Sequence, residues 1–182
     1  MVTIRRELPD DAERIAGVHV RAWQAGYAGI IPAEVLDRLN VNAWAQRRRD
    51  WGTADDDHPF TTYVAEGPHD VEGFVSVGPY RNDQDHDDLD PVYGEILAMY
   101  VDPEHWGTGV GRALMTTACD HLADGGRNHL RLWVLADNAR ARKFYERAGL
   151  AADGESTTYT IPLSGGRDPV ALEEIRYAAV IG

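Results

Sequence analysis

A single cysteine, Cys119, stands among the 182 residues, so no intrachain disulfide can form and nothing points to an oxidising compartment. At helical spacing beside Ala118 and Leu122 it reads as a small core residue rather than a nucleophile. No run approaches the ~20 apolar residues of a membrane span, and residues 1–7 lack an apolar segment of signal-peptide length. The expectation is a cytoplasmic protein with no membrane partner. Positive charge is also in short supply. Lys and Arg number 18 against 30 Asp and Glu, a formal charge of −12, which disfavours a nucleic-acid backbone as partner and would draw in a cationic substrate.

Metal and nucleotide motifs are missing as well. Asp83, Asp85 and Asp87 alternate as in a calcium loop, but that loop needs Gly at its sixth position and Glu at its twelfth, where Asp88 and Gly94 stand. The seven histidines fall at no metal-ligand spacing, so no metal is expected. The Gly-Lys pair of a P-loop does not occur. A dinucleotide fingerprint counted from Gly107 meets Arg112 where its third glycine belongs.

What is present is the composition of an ordinary globular chain, 43% hydrophobic and 26% charged, at a length that suits one domain over residues 1–182. β-prone runs lie at 2–7, 61–66, 71–77, 93–101, 129–135, 157–163 and 175–181. The second and third of these read as a hairpin about Gly67-Pro68. Helical spacing follows Asp10, with Glu13 three residues on as in a capping box, and recurs at 32–39, 44–50, 110–123 and 139–148, the last closed by Gly149. Turn-rich acidic stretches at 52–59 and 81–91 read as loops. Strand, helix, strand, helix from residue 93 onward implies a parallel crossover.

The informative segment follows the strand at 93–101. Asp102-Pro103 marks a turn, Trp106-Gly107-Thr108-Gly109-Val110-Gly111-Arg112 alternates glycines, and a helix then begins. Such a segment is an anion cradle: glycines admit a phosphate close to the backbone, and the free N–H groups and positive dipole end of the helix face it. With Gly109 and Gly111 in place, it resembles the Arg/Gln-x-x-Gly-x-Gly/Ala hallmark of the GCN5-related N-acetyltransferase family, Trp106 standing where that family has Arg or Gln. A second stretch, from Asn138 through Phe144-Tyr145 to Gly149-Leu150, is similar to the family's second motif, and both occur in family order.

The resemblance implies an α/β fold whose mixed central sheet is splayed between its fourth and fifth strands, here 93–101 and 129–135, with helices flanking it. It also implies acetyl-CoA as co-substrate, lying in that gap. Over Met99-Tyr100-Val101, backbone groups of Met99 and Val101 would pair with pantetheine and the acetyl carbonyl, residues 106–112 would hold the pyrophosphate, and Asn138 would bond the cofactor arm. Direct attack of an amine on a thioester needs a neutral amine and a proton for the departing thiolate. Glu95 is the expected base and Tyr145 the expected acid. Trp23 and Tyr27, four apart on the first helix, would floor the acceptor pocket. The expected acceptor is a small-molecule amine, with a peptide or protein amine and a non-catalytic acyl-CoA sensor as alternatives; a homodimer is compatible with the resemblance.

Overall fold

Two strands that run parallel for only three residue pairs organise the molecule. In the computed structural model, which describes residues 2–182, β4 (Leu89–Val101) and β5 (His129–Leu135) pair over Tyr93, Gly94 and Glu95 against His129, Leu130 and Arg131 and then diverge. The cause is visible in β4. Its register against β3 (Val71–Arg81) jumps from Ser76–Ala98 to Val77–Ile96, leaving Leu97 as a bulged extra residue. A bulge bends its strand, and this one lies just past the last β4–β5 pair.

Around this pair, β1 (Thr3–Arg6) and β2 (Thr61–Glu66) extend the sheet antiparallel on one side, and β6 (Ala151–Ile161) and β7 (Val170–Val180) on the other. The strand order is β1-β2-β3-β4-β5-β7-β6, so the last strand, β7, is inserted beside β5. The hairpin and the crossover stand as the sequence suggests. The acidic stretch 81–91 does not remain a loop throughout, because β4 already begins at Leu89.

The crossover helix α4 (Val110–Asp124) covers one face of the sheet together with α5 (Ala139–Arg147). Leu114 and Leu122 are fully buried there against Val75, Val77, Leu130 and Leu132, each worth roughly 1.5–3 kcal/mol of burial. The other face carries α1 (Ala12–Gly26), the short α2 (Ala33–Leu36) and α3 (Val41–Trp51). Ile15 and Val18 of α1 pack there on Val64, Val71 and Phe74. α1 starts later than its capping-box pattern suggests. Asp11 occupies the N-cap without capping; its carboxylate instead takes the Leu8 N–H at 2.8 Å and pairs with Arg5 at 2.7 Å. A buried polar network ties α3 down: Arg48 forks onto Glu7 at 2.7 and 3.0 Å and reaches Thr62 at 2.7 Å. Among the described residues, no helix is long and apolar enough to cross a membrane.

Candidate active site

At the open end of β4 the chain turns through Asp102 and Pro103 into α4. Asp102 fixes this turn from two directions, taking the Glu104 N–H at 3.1 Å and Arg21 of α1 at 2.6 Å. Gly107 and Gly109 then adopt left-handed backbone, with φ of 78° and 97°, which costs any other residue strain. Space in front of them is empty, since a Cβ at either glycine would meet nothing within 4 Å. Gly109 is the N-cap of α4 and supplies no side chain to cap it, so the first N–H groups of the helix lack intrahelical acceptors and face outward. Gly111 has a different reason to be small. A Cβ there would stand 3.2 Å from the Phe144 ring, so this glycine lets α4 pack on α5.

Trp106 departs from the hallmark in identity, and the structure gives it a task. Its indole N–H donates to the Val101 carbonyl at 2.9 Å, bracing the turn against the end of β4. The guanidinium of Arg140, in the first turn of α5, lies 3.1 Å from the centre of the indole ring, a cation–π stack. Arg140 has no carboxylate partner among the described residues. Asn138 caps α5, its Oδ1 accepting the Ala141 N–H at 3.2 Å, which leaves its amide N–H groups unengaged among the described residues.

Tyr145 is buried on α5, beside Phe144 and Tyr177. Its hydroxyl finds no hydrogen-bond partner among the described residues, and burial pushes the phenol above its ordinary range, with the nearby Tyr100 adding to the effect. Across the sheet, Tyr100 and Tyr27 approach hydroxyl to hydroxyl at 3.3 Å. Burial raises both phenols as well. Trp23 stands edge-on to Tyr27 at 5.0 Å and lines a cavity of about 390 Å³ with Trp44, Arg38, Arg47 and Tyr159. The β6–β7 loop lines one side of that cavity through Pro162, Leu163 and Ser164 and is tied to the α2 region by Arg167–Glu34 at 2.6 Å and Arg38–Ser164 at 2.8 Å. Tyr27 is not among its lining residues.

Glu95, the expected base, is already engaged. It is 1% exposed, and three N–H groups of Arg81 engage it: the backbone at 3.0 Å and Nε at 3.1 Å on Oε2, and Nη2 at 2.8 Å on Oε1. Both oxygens are therefore already occupied by one residue, fourteen positions earlier in the chain. Two side chains that no sequence pattern singled out stand near the gap instead, Arg140 and Glu174 of β7. Cys119 is half-buried against Met115, and burial raises its thiol, in keeping with a packing role. Among the described residues, no group of three or more His, Cys, Asp or Glu is placed to hold a metal ion.

An anionic, extended cofactor fits this arrangement. The β4–β5 gap offers unpaired strand backbone, and the α4 N-terminus offers free N–H groups beside empty space. Comparison with known proteins agrees. The family model described as Acetyltransferase (GNAT) family matches residues 23–150. The uncharacterized N-acetyltransferase YuaI of Bacillus subtilis is 33% identical over 138 residues, covering 76% of this chain and 74% of that protein. A mycothiol acetyltransferase of Kocuria rhizophila is 30% identical over 79% of this chain; the chain spans about half of that relative, 49%. The crystal structure of PaiA N-acetyltransferase from Thermoplasma acidophilum in complex with coenzyme A superposes with a TM-score of 0.72, covering 96% of this chain and 98% of that one, and at 19% identity it shows the shared fold. The chain belongs to the acetyltransferase (GNAT) family and is an N-acetyltransferase that takes its acetyl group from acetyl-CoA.

Proposed function

We propose that the acceptor is a small primary amine, acetylated by direct attack on the thioester without a covalent enzyme intermediate. The observation that carries the direct mechanism is the β4–β5 gap itself, where strand pairing ends after Glu95 and Arg131, with the one cysteine, Cys119, packed against Met115 in α4. Binding donor and acceptor side by side supplies much of the rate through proximity. The small acceptor is supported by the open cavity beside Trp23, whose volume of about 390 Å³ lies in the range of small-molecule sites. The name of the mycothiol acetyltransferase relatives, of which this chain spans about half, points the same way.

In this reading the backbone of Met99, Tyr100 and Val101 lies along the pantetheine arm, with the Val101 carbonyl already spent on Trp106. The N–H groups from Gly107 to Arg112 face the pyrophosphate, and Arg140, held over Trp106, brings the cation that Trp106 cannot. The free amide N–H groups of Asn138 are available to the arm. Tyr145, protonated and unpartnered, donates a proton to the departing thiolate. Trp23 walls the acceptor cavity, and Tyr27 backs Trp23 edge-on.

The test is a panel of aliphatic amines, amino sugars and peptides with free N-termini, assayed for release of the CoA thiol. Turnover confined to small amines supports the reading. Turnover confined to peptides reassigns the acceptor, and tight CoA binding without turnover of any acceptor would make the protein an acyl-CoA sensor.

A further inference from the structure

The acceptor side of the gap contains a carboxylate with no salt-bridge partner among the described residues. Glu174 lies opposite Leu135, the last residue of β5, and opposite Thr157 of β6. Counting on from the last β4–β5 pair, Glu95 with Arg131, and passing the bulged Leu97, brings Leu135 level with Tyr100, where the strands have separated. Leu135 belongs to the cluster that contains Trp23, Tyr27 and Tyr159, whereas the flanking Ile175 packs with the α4 and α5 side chains. Alternation along β7 therefore puts Glu174 on the face opposite Tyr145.

The neighbouring cations are committed elsewhere. Arg81 is held by Glu95 at 2.8 Å, and Arg176, next on the same face of β7, is held by Asp153 at 2.6 Å and the Tyr80 hydroxyl at 3.2 Å. Glu174 has no salt-bridge partner among the described residues and receives one hydrogen bond, a long one of 3.3 Å from the Gln84 amide. A half-buried carboxylate left unpaired costs folding free energy; aromatic walls and a missing cation are what an ammonium ligand would complete.

We infer that Glu174 is the catalytic carboxylate of the acceptor side, binding the ammonium form of a cationic primary amine and removing a proton from it, while Glu95 serves to hold Arg81. The inference rests on the amine-acetylation reading above. In the step, the Glu174 carboxylate takes one proton from R–NH3⁺. The freed nitrogen lone pair forms the C–N bond as the C–S bond of the thioester breaks, and the thiolate takes the Tyr145 proton. The second N–H proton passes to Tyr145 through solvent, and the proton on Glu174 is released to water. The balance is ammonium plus acetyl thioester giving amide, thiol and one proton. Acid and base then approach from opposite faces of the sheet.

The charged and titratable groups facing Glu174 set its titration: Tyr27 from α1, Arg81 from β3, Glu95 and Tyr100 from β4, Tyr159 from β6 and Arg176 on β7. Burial, joined by the charge of Glu95, raises its carboxyl above the ordinary range, against the pull of Gln84 and Arg81. A raised carboxyl is a better proton acceptor near neutrality.

The experiment is the pH profile of kcat/KM with the best amine of the panel, for the wild type, Glu174→Gln, Glu174→Asp and Glu95→Gln, each checked by circular dichroism. Glu174→Gln should lose on the order of 10²- to 10⁴-fold together with the acid limb, and Glu174→Asp should recover part of both. Glu95→Gln should keep the limb but move it to lower pH, because a negative neighbour has gone and Arg81 is released. A folded Glu174→Gln with wild-type kcat/KM and an intact acid limb overturns the inference while leaving acetyl transfer standing. Loss of the limb in Glu95→Gln alone returns the base role to Glu95. If the wild type binds CoA yet acetylates no amine, both readings fall together.

Discussion

Replacing Gly109 separates the cradle from the fold, because the structure assigns its two neighbouring glycines different duties. At Gly109, φ is 97° and a Cβ would touch nothing within 4 Å, so Gly109→Ala meets backbone strain but no clash. That strain is about 1–2 kcal/mol, which for a domain of this size lowers Tm by roughly 2–8 °C. The methyl would project into the space in front of the α4 N-terminus and hold a phosphate off the backbone. Losing one charge-assisted hydrogen bond of about 1.5–3 kcal/mol weakens CoA binding about 10- to 100-fold, and Gly109→Val, with a branched side chain, weakens it further. Gly111→Ala is the control. Its Cβ would crowd the Phe144 ring at 3.2 Å, so it should cost stability through packing while CoA affinity changes much less. Calorimetric titration of CoA alongside thermal melts measures both effects. A folded Gly109→Val variant with unchanged CoA affinity would falsify the cradle, and so would Gly111→Ala proving the more damaging of the two to binding.

Three further outcomes are expected. Tyr145→Phe removes a hydroxyl that has no hydrogen-bond partner among the described residues, so stability should hold while kcat falls on the order of 10²- to 10⁴-fold; full single-turnover kcat would reduce Tyr145 to a packing residue. Arg140→Ala removes an exposed cation above Trp106, so CoA affinity should drop about two- to fivefold and its salt dependence should flatten, whereas an unchanged salt slope rules Arg140 out as a phosphate partner. His19 is packed among Trp44, Phe74 and Tyr100, and burial, with the charge of Arg48, depresses it to about 3. Its unfolded value is near 6.5, so between these values the unfolded chain takes up a proton that the native protein refuses, and stability is lost as pH falls, by up to about 1.4 kcal/mol per unit. His19→Gln should flatten the urea-measured stability between pH 7 and 4, and a slope equal to the wild type's refutes this.

The parts of the fold that the sequence disclosed are those fixed by local pattern. Alternation at 129–135, helical spacing at 110–123 and the glycines between them follow from neighbours in the chain, and the structure has β5, α4 and the turn at those places. What escaped depends on distant partners. β6 begins at Ala151, among residues such as Asp153, Gly154 and Glu155 that carry no strand pattern, because it lies at the sheet edge with both faces largely exposed and is held by its pairing with β7. The start of β4 at Leu89 was hidden in an acidic run for a related reason: it is set by cross-strand pairing with Arg81 of β3, not by a local preference.

The same distinction divides the candidate site. A phosphate cradle is made by backbone, so its requirement for small residues is written as spacing, and Gly107, Gly109 and Gly111 could be read directly. A carboxylate's chemistry is set by which charges stand beside it, and those come from other strands. Glu95 read as the base because its partner Arg81 lies fourteen residues away across a turn and a register shift, while Glu174 looked like one more polar residue of a last strand. Only the insertion of β7 next to β5 brings Glu174 to the separated end of the sheet. Pairing Arg81 with Glu95, and Arg176 with Asp153, commits two nearby guanidiniums that could have paired with Glu174. The buried ion pair thus has a consequence beyond its own stability: by committing Arg81, it leaves a neighbouring carboxylate able to receive a cation from outside the protein.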